Sequence, residues 1–193
     1  MSTKLLLFNN TSLDETEDIR KGLNSSSYEI VLSCSDLTKV SSAVMTNSVD
    51  MMIVVINKQF EELLVFVRQI IQNKPMPIVV FTNTDDKEVI NSAIKVGVSA
   101  FIVDGLQAKR MVSILDTAKF RFKEQHAVKM ELKKAKDTLS ERKLIEKAKG
   151  IVMQRSEIDE DDAYKAMRKM AMDKNMKIVD LAKSVISATE LMR

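Results

Sequence analysis

No tryptophan occurs among the 193 residues of this chain, and histidine and cysteine occur once each, as His126 and Cys34. A single cysteine excludes an internal disulfide, and a single histidine leaves almost no scope for a zinc site or a histidine-based triad. Long apolar runs are lacking too. The longest, Met51 to Ile56, falls far short of the roughly 20 residues that a membrane-spanning helix needs. Met1 to Phe8 moves directly into a strand-like run and carries no signal-peptide cleavage pattern. These absences lead us to expect a cytoplasmic protein with no membrane partner.

What is present suits a folded, soluble chain. Apolar residues make up 45% of it, enough for a sizeable core, and charged residues make up 30%. The length allows one large domain, or a standard domain with a small one. Charge is unevenly spread: residues 1–118 carry a net −3 and residues 119–193 a net +6. If a polyanion binds, the C-terminal part is where it is expected to meet the chain.

The first 105 residues alternate two patterns. Short β-rich apolar runs lie at Leu5–Phe8, Tyr28–Leu32, Met51–Ile56, Ile78–Phe81 and Ala100–Val103. Helical spacing fills the gaps at Leu13 to Leu23, Leu37 to Val44, Phe60 to Ile71 and Val89 to Val96. This alternation predicts a flavodoxin-like α/β fold, a doubly wound five-stranded parallel sheet with its functional groups at the carboxyl ends of the strands. From Leu106 to about Arg155 there is no proline, and Gly150 is the only glycine. That stretch reads as a long helix whose Val128, Leu132, Ala135 and Leu139 form a short coiled-coil-like seam. Homodimerisation through this stalk is an expectation. Asp159 is a good N-cap for a further helix to Lys174, with Ala163, Met167, Met170 and Ala171 on one face. Asn175 stops it, and a last helix places Ile178, Leu181, Ala182, Val185 and Ile186 on its stripe. The predicted divisions are an α/β domain over 1–118, a helical linker over 119–140 and an all-α three-helix module over 141–193.

At the carboxyl ends of the strands stand Asn9 and Asn10 after strand one, Val55 in strand three, Thr82 closing strand four and Asp104 after strand five. The N-terminal segment resembles the response-regulator receiver family, whose members carry an acidic pair, an acceptor aspartate, a hydroxyl and a lysine at those positions. Only the hydroxyl, Thr82, remains here. Hard oxygen ligands for Mg²⁺ and the phosphoryl acceptor are missing, and Asn57 supplies only an amide. This domain is therefore expected to be a receiver that cannot be phosphorylated. With no acid, base and nucleophile assembled, neither enzyme activity nor a cofactor is expected.

The run from Glu141 through Ala148-Lys-Gly150 to Met153, then Asp162-Ala-Tyr-Lys-Ala-Met-Arg-Lys-Met-Ala-Met172, then Asn175 to Leu181-Ala182 resembles the ANTAR family. These are RNA-binding domains of transcription antiterminators. Pro77 to Thr82 and Ala93 to Arg110 resemble the NasT branch in particular. The resemblance implies that the module binds a two-hairpin leader transcript and holds it against formation of a terminator, in the control of nitrate and nitrite assimilation genes. It further implies a NasS-like nitrate/nitrite sensor protein as the controlling partner, in place of phosphorylation.

Arg142, Lys147, Lys149, Arg168, Lys169, Lys177 and Lys183 are the candidate RNA contacts, through phosphates above all. Tyr164, the module's single aromatic residue, reads as core. Ala148, Gly150, Ala163 and Ala182 read as close-packing residues, Cys34 as a buried small side chain and His126 as a surface residue of the stalk. Two other functions compete: a DNA-binding response regulator using a helix-turn-helix, and a coiled-coil adaptor that binds only proteins.

Overall fold

The computed structural model describes residues 2–190 apart from 12, 25, 38, 39, 41–43 and 45–47, with only the backbone of 13 and 14. In chain order the elements are β1 (Thr3–Asn9), α1 (Leu13–Leu23), β2 (Tyr28–Cys34), β3 (Met51–Val55), α2 (Phe60–Asn73), β4 (Ile78–Thr82), α3 (Lys87–Val96) and β5 (Ala100–Val103). A 3-10 turn at Ala108–Arg110 leads into α4 (Met111–Ser156), then α5 (Glu160–Asp173) and α6 (Ile178–Glu190). The helix expected over Leu37 to Val44 falls for the most part outside the described residues.

All strand pairs are parallel, in the order β2-β1-β3-β4-β5. That is the doubly wound flavodoxin-like order. Successive side chains of a strand point to opposite faces, so β1, β3 and β4 feed two cores at once. Leu6, Phe8, Met52, Val54, Ile78 and Val80 meet Leu63, Phe66, Val67 and Ile70 of α2 and Ala93 of α3. Leu5, Leu7, Met51, Ile53, Val55, Val79 and Phe81 meet Ile19 and Leu23 of α1 and Met111, Leu115 and Ala118 of α4. Burial on both faces explains why β3 and β4 are apolar almost throughout. Cys34 is half-buried and packs against the first of these clusters.

Two glycines serve this domain differently. Gly97 ends α3 with φ of 110°, and its N–H donates to the carbonyls of Ala93 and Ile94 at 3.2 and 3.0 Å. Gly22 lies so close to the 3-10 turn that a Cβ there would sit 2.7 Å from the carbonyl oxygen of Ala108. Tyr28 fixes the start of β2 to α4: its hydroxyl donates to Asp116 at 2.6 Å, and Lys119 lies 5.9 Å from the ring centroid. Burial, with the hydrogen bond and charge of Asp116, pushes this phenol above its ordinary range.

The chain divides into two compact units, Met1–His126 and Ala127–Arg193, and the 46-residue α4 belongs to both. In the second unit, Ala148, Met167, Ala171, Leu181, Ala182 and Ile186 form a small core flanked by Leu144, Ile145, Ile151 and Val152. The seam residues Val128, Leu132, Ala135 and Leu139 are all exposed. His126 stacks on Phe122 with ring centroids 5.3 Å apart. Among the described residues no helix is long and apolar enough to cross a membrane.

Candidate nucleic-acid interface

The strand register brings the five receiver positions together at one end of the sheet. Asn9 pairs with Val55, Val55 with Phe81, and Thr82 with Val103, the residue before Asp104. The Asn10 N–H donates to the carbonyl of Val55 at 3.1 Å, and the Asp104 N–H to that of Thr82 at 2.9 Å. Val55 is 2% exposed and turns into the α1 and α4 core, so nothing reactive faces outward from that position.

The amides at this end of the sheet bond to one another, to a hydroxyl and to nearby backbone. Asn57 accepts from the Asn83 N–H at 2.9 Å, and Asn10 donates to Gln59 at 3.0 Å. Asn9 donates to the Thr16 hydroxyl at 2.6 Å and accepts from the Thr11 N–H at 2.8 Å. Thr82 accepts from the Thr84 N–H at 3.1 Å. Sequence reading missed this use of Asn57 and Gln59, whose signal was the density of amides at strand ends. Among the described residues no group of three or more His, Cys, Asp or Glu could hold a metal ion.

The second unit offers a different surface. Asp159 caps α5 by accepting from the Asp162 N–H at 2.8 Å, and three acidic residues follow in the first turn, where the helix dipole favours them. Asn175 ends the turn after α5 with φ of 51°. Ala148, Ala163 and Ala182 are fully buried.

Of the expected RNA contacts, Arg142, Lys147, Arg168, Lys169, Lys177 and Lys183 are exposed. Lys147 meets Glu190 at 3.1 Å and Lys183 meets Asp180 at 3.3 Å, pairs that solvent screens and that cost little to open. The other four make no ion pair among the described residues. Lys149 is different. It is 8% exposed, and its ammonium lies 2.5 Å from Glu146 and 2.6 Å from Glu160. Those carboxylates, Glu146 foremost, hold its pKa above the ordinary lysine value. Its charge is already neutralised within the module, where it ties α4 to the start of α5.

Three readings of packing need correction. Tyr164 is 44% exposed, because the inner face of α5 is the narrow Ala163, Met167 and Ala171 stripe, and residue 164 lies one step round from it. Met170, at 48% exposed, lies off that stripe on its other side. Gly150 is exposed with nothing near its missing Cβ, so it is not a close-packing residue.

Comparison with known proteins agrees with this division. Residues 133–186 match the ANTAR domain. Over 63 residues, a third of this chain, the sequence is 46% identical to the nitrate regulatory protein of Klebsiella oxytoca, a stretch that spans 16% of that protein's length. Over 169 residues it is 25% identical to the transcriptional regulatory protein PdtaR of Mycobacterium tuberculosis, covering 88% of this chain and 82% of that one.

Among solved structures, the signal receiver domain of a modulated diguanylate cyclase from Desulfovibrio desulfuricans matches with a TM-score of 0.55 at 15% identity, over 65% of this chain and 99% of that one. The response regulatory domain of mrkE from Klebsiella pneumoniae matches with a TM-score of 0.51 at 21% identity, over 63% and 98%. These two likenesses establish the fold of the first domain alone. Residues 133–186 therefore form an ANTAR domain, carried behind an α/β domain of receiver-like fold.

Proposed function

We propose that this chain is an RNA-binding transcription antiterminator of nitrate and nitrite assimilation genes, stabilising two hairpins in a leader transcript. The observation that carries the reading is the ANTAR module itself, which turns Arg142, Arg168, Lys169 and Lys177 to solvent without internal counter-charges. Phosphate contacts dominate nucleic-acid affinity, so binding is expected to weaken steeply with salt. The test is a gel shift of the full chain with a two-hairpin RNA against duplex DNA of equal length. Preference for the RNA is expected; equal binding sinks the reading and favours a DNA-binding regulator.

Control passes through a bound protein, a NasS-like nitrate/nitrite sensor, rather than through phosphorylation. The positions that would hold Mg²⁺ and accept a phosphoryl group are Asn9, Asn10 and Val55, and Asp104 occupies the lysine position. Incubation with acetyl phosphate and Mg²⁺ is expected to leave the intact mass unchanged. A gain of about 80 Da, one phosphoryl group, would overturn this part.

Two copies pair through the stalk. With Leu132 and Leu139 at a positions and Val128 and Ala135 at d, Glu124 and Glu131 fall at g and Lys129 and Lys136 at e. Parallel pairing sets Glu124 against Lys129 and Glu131 against Lys136 of the other copy. Antiparallel pairing sets lysine against lysine, so charge favours the parallel arrangement.

A further inference from the structure

Lys149 is the one candidate RNA contact that the module turns inward. Its side chain is 10% exposed, and its ammonium meets Glu146 of α4 at 2.5 Å and Glu160, the first residue of α5, at 2.6 Å. The two carboxylates stay largely in water, with side chains 53% and 68% exposed. A cation beside the N-terminal end of a helix is unfavourable by itself, so only the carboxylates make this place favourable for an ammonium. The bridge spans a turn that its own backbone does not favour. Between Ser156 and Asp159 the chain passes through Glu157 with φ of 53°. A residue with a Cβ holds such left-handed backbone where its surroundings fix it. Arg168 lies roughly 12 Å along α5 from Glu160, so a tilt of about 10° there would move it by about 2 Å. Hydrogen bonds do not tolerate a displacement of that size.

We propose that Lys149 is a positioning residue for RNA binding: through Glu160 it sets where α5 presents Arg168 and Lys169 relative to Arg142, and it touches no RNA itself. To reach a phosphate, its ammonium would have to leave two carboxylates and come out of its buried place. Arg142, Arg168 and Lys169 already stand at the surface. The proposal rests on the RNA-binding reading above and adds to it a residue that acts only through the geometry of the module.

The probe is an RNA with two fixed stems and randomised loops, from which the tightest binder to the full chain is carried forward. Lys149→Met is expected to keep or raise the thermal midpoint, because an apolar stem needs no partner and both carboxylates are already solvated. It is expected to bind the RNA about tenfold or more weakly, the scale of one lost arginine contact, with its salt slope unchanged. Arg168→Gln, by contrast, is expected to lower that slope by about one. Lys149→Arg keeps both ion pairs and is expected to retain most of the affinity. Glu160→Gln removes a negative charge, yet it is expected to weaken binding in the wild type and not in Lys149→Met. With Glu160 at the surface, this variant carries the test if Lys149→Met fails to fold. Spin labels on Glu141→Cys and Asp173→Cys, in a chain with Cys34→Ser, are expected to show a broader distance distribution once Lys149 is methionine.

A salt slope lowered by about one in Lys149→Met overturns the proposal and makes Lys149 a phosphate contact. Binding that ignores Lys149→Met and Glu160→Gln, or label distances that do not broaden, also overturns it while leaving the antiterminator reading intact. Failure of the wild type to bind any hairpin overturns both readings together.

Discussion

The two units hold themselves together by different means. In Met1–His126 a parallel sheet is sealed on both faces by large side chains, among them Phe8, Phe81, Leu5 and Met51, each at most 1% exposed. In Ala127–Arg193 the central cluster is small, Ala148, Ala171 and Ala182 with Met167, Leu181 and Ile186. The difference teaches where function can change cheaply. A thick two-sided core rests on its buried apolar side chains, and the polar residues Asn9, Asn10 and Asp104 stand at its strand ends. A thin helical core depends on a few small residues, and it leaves most of each helix surface free for a ligand.

The largest expected effect breaks the first unit. Phe81→Ala removes a fully buried aromatic and is expected to cost about 3–5 kcal/mol. Calorimetry of the full chain should then show the receiver-like transition displaced or lost, with that of the module in place. If both transitions move together, the two-unit comparison fails.

Next come two changes of bulk, one in each unit. Ala182→Leu pushes extra carbons between the helices of the module and is expected to cost about 1–3 kcal/mol, confined to the second transition. Gly22→Ala sets a Cβ against the carbonyl of Ala108 and is expected to cost a similar roughly 1–3 kcal/mol in the first transition only. Gly150→Ala should go the other way. With open space around it in a helix interior, alanine is expected to add about 0.8–1.0 kcal/mol to the module. A loss of stability there would show that Gly150 is packed after all.

The smallest effect concerns the stalk. Lys129→Glu with Lys136→Glu opposes glutamate to glutamate in the parallel register, at about 0.2–1 kcal/mol for each exposed pair lost. Sedimentation should show dimer shifting toward monomer, more at low salt than at high. Adding Glu124→Lys and Glu131→Lys to the same chain is expected to restore the dimer.

Much of the first unit was legible because periodicity and composition agree there. A run such as Met51 to Val55, apolar on both sides and bounded by polar residues, fits little other than a buried parallel strand. Caps were legible for the same local reason: Asp159 and Asn175 act on backbone within their own turn. The receiver positions were legible as residue types, and pairing of the strands then brought them to one end of the sheet. Local pattern could not say how wide a stripe α5 buries. Tyr164 and Met170 flank Ala163, Met167 and Ala171 on either side, and a broader contact would have covered one of them. Only the packing of the three helices decides how narrow the stripe is and leaves both exposed.

Lys149 and Gly150 make the same point within two adjacent residues. Sequence alone determined the order of the described elements, the two-sided core of the sheet, the residue types at the strand ends and the basic character of the second half, because each is set by residue type and short-range spacing. Tertiary structure alone decided that Lys149 turns inward to Glu146 and Glu160, that Gly150 faces open solvent and that Tyr164 stands outside the core. The physical reason is that burial depends on which helix lies opposite and how near it comes, and no residue's own neighbours in the chain carry that information.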